Sequence, residues 1–190
     1  MTDVHPSPHV PAGPAAGHPA DHEDPACDVA HGAAPVPAVT RTLVAVFDSP
    51  VARYLLRYAG DAGFRPVLIE PDPEHAGPAD AGLIVAGGFD GYLGDATDVV
   101  VTDHHRPELG PMLRDALAGQ TCWVGVMGNP RHPAPHIPAL AALGVADADI
   151  GRVHRPIGLN IGSRTPAEIA VATLAGLIAD RNGRPGGFEF

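Results

Sequence analysis

Residues 42–63, TLVAVFDSPVARYLLRYAGDAG, are typical of one strand–turn–helix unit. Leu43–Phe47 is a short apolar run, as expected for a strand that is buried on both faces. Apolar residues then recur at helical spacing through Val51–Ala62, and Gly63 is placed to end that helix. The same alternation continues to residue 126. Further strands are predicted at Pro66–Ile69, Leu83–Ala86, Asp98–Thr102 and Thr121–Val126, with a helix at Pro107–Leu117.

Strands that alternate with helices through short Gly- and Pro-containing connections indicate a parallel sheet. We therefore predict an α/β fold, a Rossmann-like parallel sheet with helices on both faces. In such sheets ligands bind beyond the carboxyl ends of the strands. The segments expected at that edge are Phe47–Val51, Glu70–Asp72, Asp103–His105 and Gly125–Arg131.

Residues 1–40 differ in composition from the rest of the chain. They contain eight Pro and five His but no aromatic residue, Lys or Arg. Without periodic apolar residues, such a segment cannot offset the entropy of ordering. We predict a disordered Pro-, His- and Ala-rich tail at 1–40, an ordered domain at 41–183 and a flexible C-terminus at 184–190. The histidines could form a metal-scavenging arm, but their uneven intervals favour a solvated linker.

The charge and the cysteine count exclude several classes of function. The formal net charge is −10, with 12 Arg and no Lys, so chemistry that depends on a P-loop or Schiff-base lysine is excluded. An acidic chain without a basic stripe is not expected to bind nucleic acid. Two cysteines are too few for a disulfide framework or a CxxC metal site. Since there is no apolar run of about 20 residues and no signal-peptide pattern, we expect no membrane association and a cytoplasmic location.

The segment before the last predicted helix combines a helix start with a potential anion site. Thr165, Pro166 and Glu168 match the N-cap, N1 and N3 positions of a capping box. An apolar face should then pack this helix on the sheet. Two glycines, an amide and an arginine precede the helix N-terminus, where free N–H groups and the helix dipole attract anions. These residues, with a serine among them, are Gly158, Asn160, Gly162, Ser163 and Arg164.

Three stretches together resemble a known family. They are Val101–His104 (VTDH), Trp123–Gly128 (WVGVMG) and Pro156–Ala170 (PIGLNIGSRTPAEIA), in this order. The chain is similar in them to the Rossmann domain of the XdhC/CoxI family, the accessory proteins of xanthine dehydrogenase and related molybdenum hydroxylases. The resemblance extends from about Arg41 to Arg181, and its last stretch is the most specific.

The resemblance implies a maturation factor rather than an enzyme. Such a protein holds molybdenum cofactor, protects it during sulfuration and assists its insertion into the apo-hydroxylase. The implied partners are that apo-hydroxylase, a cysteine desulfurase, and a protein carrying the N-terminal domain that residues 1–40 do not resemble. The resemblance also suggests a homodimer. Two alternatives stay open, an NAD(P)-dependent oxidoreductase and an interaction subunit that binds no small ligand.

The first turn departs from the pattern of dinucleotide-binding domains. A GxGxxG-like turn is expected after the first strand, but residues 47–52 read FDSPVA. Asp48 would place a negative charge beside the phosphates, and Pro50 removes an N–H donor. Glu70 follows at the spacing of a ribose-binding acid, yet an acid at a strand end is common by chance. NAD(P) is therefore not expected to bind in the usual mode.

The predicted cofactor-binding residues belong to two turns and to the late segment. They are Asp103, His104, Gly125, Gly128, Asn129, Arg131, Gly158, Asn160, Gly162, Ser163, Arg164 and Thr165. Arg131 suits a phosphate or pterin oxygen. Structural alternatives are that Asp103 and Thr165 only cap the residues after them and that the glycines only serve tight turns. The rings of the adjacent His104 and His105 are expected to point apart. No catalytic residue and no metal ligand is assigned.

The remaining reactive side chains have structural interpretations. Cys122 is predicted inside a buried strand, which would make its thiol inert. His132 and His136 stand four residues apart, but the prolines between them disfavour a helix, so both are predicted at the surface. A solvated face is the structural interpretation of Arg152, His154 and Arg155.

Overall fold

The computed structural model describes residues 25–35, 41–78, 83–129 and 131–187. The chain divides into two compact units, Met1–Pro37 and Ala38–Phe190. In the first unit, a helix α1 at Pro25–Ala30 lies within the predicted tail and was not expected from the sequence. The disorder predicted for 1–24 and 36–40 falls outside the described residues.

The second unit contains a six-stranded parallel sheet, which confirms the predicted fold class. The strand order is β3-β2-β1-β4-β5-β6, the arrangement typical of Rossmann folds. The last strand was not predicted, because two residues carry no readable pattern. The strands are β1 Thr42–Val46, β2 Arg65–Ile69, β3 Ile84–Ala86, β4 Thr97–Val101, β5 Trp123–Val126 and β6 Val153–His154.

Helices cover both faces of the sheet. Alternate strand residues point to opposite faces, so Val44 and Val99 belong to one core layer, and Leu43 and Val100 to the other. The first layer packs against α3, α4 and α5, and the second against α2 and α6, which also contact each other. The helices are α2 Pro50–Asp61, α3 Leu109–Ala118, α4 His136–Ala142, α5 Asp147–Ile150 and α6 Pro166–Arg181.

The helix starts decide where side chains reach the sheet edge. The capping box of α6 is present as predicted, with Thr165 as N-cap and both hydrogen bonds to Glu168 formed. Helix α3 starts at Leu109, so the prediction that Pro107 begins it is wrong by two residues. Pro107 instead lies in the turn that carries Arg106. No helix in the part of the chain that the structure describes is long and apolar enough to cross a membrane.

Candidate functional site

The carboxyl ends of the parallel strands form one edge of the sheet, called the rim below. Strand β1 lies between β2 and β4, so the chain order reverses direction there, and open α/β sheets bind ligands at such a switch point. The register aligns Val46 with Ile69 and with Val101. The rim has an early part, residues 47–53 and 70–78, a middle turn, residues 102–108, and a late part, residues 127–129, 131–132 and 155–165.

In the early rim, Asp48 binds groups of its own chain. Its Oδ1 accepts a 2.7 Å hydrogen bond from Arg53 Nε, and its Oδ2 is paired with the same guanidinium. Oδ2 also accepts the N–H of Gly77 at 2.7 Å. The hydrogen bond from Arg53 is the main cause that holds the pKa of Asp48 below its usual value. The charge predicted to repel phosphates is thus neutralised inside the protein.

Groups of the protein itself also use the hydrogen-bonding capacity at the start of α2. The hydroxyl of Ser49 accepts the N–H of Ala52 at 3.1 Å and donates to Thr102 Oγ1 at 3.0 Å. Pro50 has no N–H to offer. Phe47, just before the turn, has a φ of 72° although it is not glycine, which indicates a backbone fixed by its surroundings. The N–H groups that a pyrophosphate would use are therefore few here.

Glu70 is the centre of a buried ion pair. Its side chain has no exposed surface and accepts two hydrogen bonds from Arg106, of 2.9 and 3.2 Å. It also accepts the backbone N–H groups of Asp48 at 2.8 Å and Asp72 at 3.1 Å. The guanidinium of Arg106 lies 4.7 Å from the ring centre of Phe47, and the hydrogen bonds that it donates to Glu70 raise the pKa of Arg106. Glu70, which stands at the spacing of a ribose-binding acid, instead links the turns after β1, β2 and β4.

The turn after β4 contains two predicted site residues. Asp103 Oδ1 accepts the N–H of His105 at 2.8 Å, which is the capping role that the sequence left as an alternative. The expectation that the adjacent histidine rings point apart is wrong, because the centroids of His104 and His105 are 4.1 Å apart. Burial is the main cause that lowers the pKa of His104, and the nearby His105 and Arg155 add to it. His104 is therefore neutral at pH 7, and it contacts the backbone of Met127.

Packing explains the two glycines of this region, Gly125 within β5 and Gly128 after it. A Cβ on Gly125 would meet Trp123 Cζ3 at 2.6 Å and Ile157 Cγ2 at 2.7 Å. A Cβ on Gly128 would meet Arg155 Nε at 2.5 Å. Both glycines thus make room for side chains of this protein, so close approach of a ligand is not needed to explain them. Their role as ligand contacts stays a prediction.

Arg155 connects the two turns of the late rim. Its Nη2 donates to the carbonyl of Asn129 at 2.9 Å, and its Nη1 donates weakly to the carbonyl of His132 at 3.4 Å. The side chain of Asn129 accepts the N–H of Arg131 at 2.9 Å. Beside this pair of turns, Trp123 stacks on His154 with centroids 4.9 Å apart. Arg152 and His154 are exposed, as expected for a solvated face, whereas Arg155 is half-buried and bonded to two backbone carbonyls. The sequence offered no signal for that role of Arg155.

The loop before α6 divides into a packed part and an open part. Gly158 has a φ of 82°, and a Cβ added to it would lie only 2.9 Å from the backbone of α6. Gly162 has a φ of 69° and open space around that position. Ser163 Oγ donates to the carbonyl of Glu168 at 3.3 Å, and Glu168 Oε2 accepts the N–H of Arg164 at 2.6 Å. The exposed Asn160 lies between these two parts.

Charge pairing separates the early rim from the late rim. Arg53 and Arg106 are each paired with a carboxylate. Among the described residues, Arg131, Arg155 and Arg164 have no such partner. Within the described part of the rim, an anion therefore meets unneutralised guanidinium groups only at the late part. No group of three or more His, Cys, Asp or Glu within the described ranges is placed to hold a metal ion.

Two further expectations about reactive side chains are wrong. Cys122 is exposed, because β5 begins one residue later at Trp123. His136 is 4% exposed and is the first residue of α4, although prolines flank it. Pro135 stands at the N-cap, where the missing N–H costs nothing. His132 is exposed, as predicted.

Comparison with known proteins agrees with this fold. A protein from Escherichia coli K12, named "Uncharacterized protein YqeB", is 33% identical over 89 residues, which are 47% of this chain and 16% of that protein. A crystal structure titled as a xanthine dehydrogenase from Bacillus halodurans superposes with a TM-score of 0.61 at 21% identity. That match covers 76% of this chain and 45% of the other. The model of the XdhC Rossmann domain matches residues 43–177, and the chain therefore belongs to that family.

Proposed function

We propose that this chain is an accessory protein of a molybdenum hydroxylase of the xanthine dehydrogenase or CO dehydrogenase type. In this role it binds molybdenum cofactor at the late rim and assists its insertion into the apo-enzyme. Membership of the XdhC Rossmann domain family supports the accessory role. The likeness to a protein titled as a xanthine dehydrogenase points to the same group of enzymes.

The observation that carries the proposal is the contrast in charge along the rim. The early part, where dinucleotides usually bind, is closed by the pairs Asp48–Arg53 and Glu70–Arg106. The late part has arginines without acidic partners beside the N-terminus of α6, a position that favours anions. A pterin cofactor carries a phosphate and several oxygen acceptors, which suit the fork of a guanidinium.

Particular residues suit each part of the ligand. Arg131 and Arg164 are exposed and would hold its anionic end. The open space at Gly162 leaves room beside the backbone. His104, neutral because its pKa is lowered, would contribute a hydrogen bond rather than a charge. The molybdenum centre supplies the redox chemistry of the hydroxylase that receives it, so this chain needs only to bind, shield and release the group.

The test compares cofactor binding by a double variant of the proposed site and by a single-charge control variant. The double variant Arg131→Gln/Arg164→Gln removes two of the three guanidinium groups that have no acidic partner, whereas Arg57→Gln removes an exposed charge on α2. We expect the purified wild-type chain to bind molybdenum cofactor in anaerobic titrations followed by pterin fluorescence. Each lost charge-assisted hydrogen bond should weaken binding about tenfold, while Arg57→Gln binds as the wild type does.

The outcome also separates the alternatives. The proposed cofactor role is refuted if the wild-type chain binds no pterin, or if the double variant binds it unchanged. A chain that captures the apo-hydroxylase without any pterin would instead be an interaction subunit. Micromolar binding of NAD(P) would favour an oxidoreductase, despite the closed first turn.

A further inference from the structure

A cavity of about 420 Å³ lies between α4, α5 and β6, on the face of the sheet opposite α2. Its polar lining comes from His136, Arg155 and Asp147. Its apolar lining includes Ile137, Ile150 and Val153. The volume falls within the usual range for small-molecule sites. Neither Arg131 nor Arg164 lines it, so it does not include the arginines proposed to hold the pterin, although Arg155 borders both the cavity and the late rim.

Two nitrogen atoms of the cavity-lining residues are buried without a hydrogen-bond partner. They are Nδ1 of His136 and Nε of Arg155. His136 as a whole is only 4% exposed. Buried polar atoms in folded proteins are nearly always paired. Two unpaired nitrogens in residues that line one cavity therefore indicate a ligand that supplies the missing partners after a small shift of the two side chains. Burial and the charge of Arg155 lower the pKa of His136. The imidazole is therefore neutral, and one of its tautomers can donate from Nδ1.

The charge around the cavity selects the kind of ligand. Arg155 has no ion-pair partner among the described residues, and its Nη1 makes only a 3.4 Å contact with a carbonyl. The guanidinium can therefore still donate to an oxyanion. Asp147, which is exposed, also lines the cavity and disfavours a second negative charge near it.

We infer that this cavity binds a small organic anion with one acidic group. Its carboxylate or phosphate accepts hydrogen bonds from Arg155 and from His136 Nδ1, and its apolar body packs against Ile150 and Val153. The neutral end of the ligand faces Asp147. This binding is independent of the proposed role in cofactor insertion.

Three probes with the same ring test this inference. Benzoate presents a carboxylate, phenyl phosphate presents a phosphate, and benzyl alcohol presents no charge. We expect at least one anion to bind in calorimetric titrations and to shift the imidazole ¹⁵N resonances of His136. Benzyl alcohol should bind more weakly, because it cannot form charge-assisted hydrogen bonds. The stronger of the two anions identifies the acidic group that the cavity recognises.

Matched variants locate the binding. Arg155→Gln should weaken the anion about tenfold or more. Arg152→Gln, which removes an exposed charge three residues earlier that is paired with Asp149, should leave it unchanged. Arg131→Gln/Arg164→Gln should also leave it unchanged, which separates this site from the proposed pterin site.

The inference is overturned if neither anion shifts the His136 resonances, if benzyl alcohol binds as tightly as the anions, or if Arg155→Gln binds like the wild type. The wild-type resonances decide the question even if Arg155→Gln fails to fold.

Discussion

Replacing Glu70 by alanine should cost much more stability than its position in a turn suggests. The side chain is fully buried and accepts four hydrogen bonds, two of them from the guanidinium of Arg106. In Glu70→Ala the cation, whose side chain is 11% exposed, keeps only its 3.3 and 3.5 Å contacts with Glu108 and its contact with the ring of Phe47. Breaking a buried ion pair from one side costs about 3–5 kcal/mol. Two backbone N–H groups would also lose their acceptor.

Urea denaturation measures this cost. With a slope of about 2 kcal/mol/M, a loss of about 4 kcal/mol lowers the midpoint by about 2 M. Glu74→Ala, four residues further on and exposed, should change the free energy of unfolding by less than about 0.5 kcal/mol. The double variant Glu70→Ala/Arg106→Ala should cost less than the sum of the single variants, because the second change removes the stranded charge. A Glu70→Ala loss below about 1 kcal/mol, or strict additivity, would refute the reasoning.

Three smaller predictions concern other parts of the sheet and its helices. Gly125→Ala pushes a Cβ into the ring of Trp123 and should lower the free energy of unfolding, measured by chemical denaturation, by about 1–3 kcal/mol. The control Gly87→Ala places its Cβ in open space. Equal losses of stability in the two variants would contradict the packing role of Gly125. Burial raises the pKa of Asp98 to about 6. Between about pH 4 and pH 6 the folded state therefore holds a proton that the unfolded chain has released. The free energy of unfolding should fall by about 3 kcal/mol over that range because of this group. Asp98→Asn should remove that dependence, and superimposable pH profiles of the two proteins would show that the group does not titrate in this range. Thr165→Ala removes the N-cap of α6 and should cost about 1 kcal/mol; unchanged thermal unfolding would exclude a stabilising cap.

Most of the sheet could be predicted because its strands are buried on both faces. Leu43–Val46 and Val99–Val101 are short apolar runs rich in valine, which favours strands that are buried on both faces. The capping box at Thr165 was equally readable, since it depends on residues only three positions apart. Strand β6, Val153–His154, was missed because its two residues pair with β5 only through tertiary contacts.

The candidate site could be predicted only as positions along the rim. That Glu70 follows a strand is local information, but its pairing with Arg106 joins residues 36 positions apart. The same holds for Arg155, which contacts the carbonyl of Asn129 26 positions earlier. His136 was placed at the surface because prolines flank it, and only the packed structure shows that α4 buries it. Side-chain pairing over long sequence distances therefore limits what one sequence reveals about a site.

The stacking of Trp123 on His154 gives this protein a built-in optical probe. Trp123 is the single tryptophan of the chain, so emission excited at the indole band comes from one place, the junction of β5 with the edge strand β6. Its ring also fills the space above Gly125, and the residue after its stacking partner is Arg155. Movement of β6 would therefore change the intensity and wavelength of that emission without any attached dye.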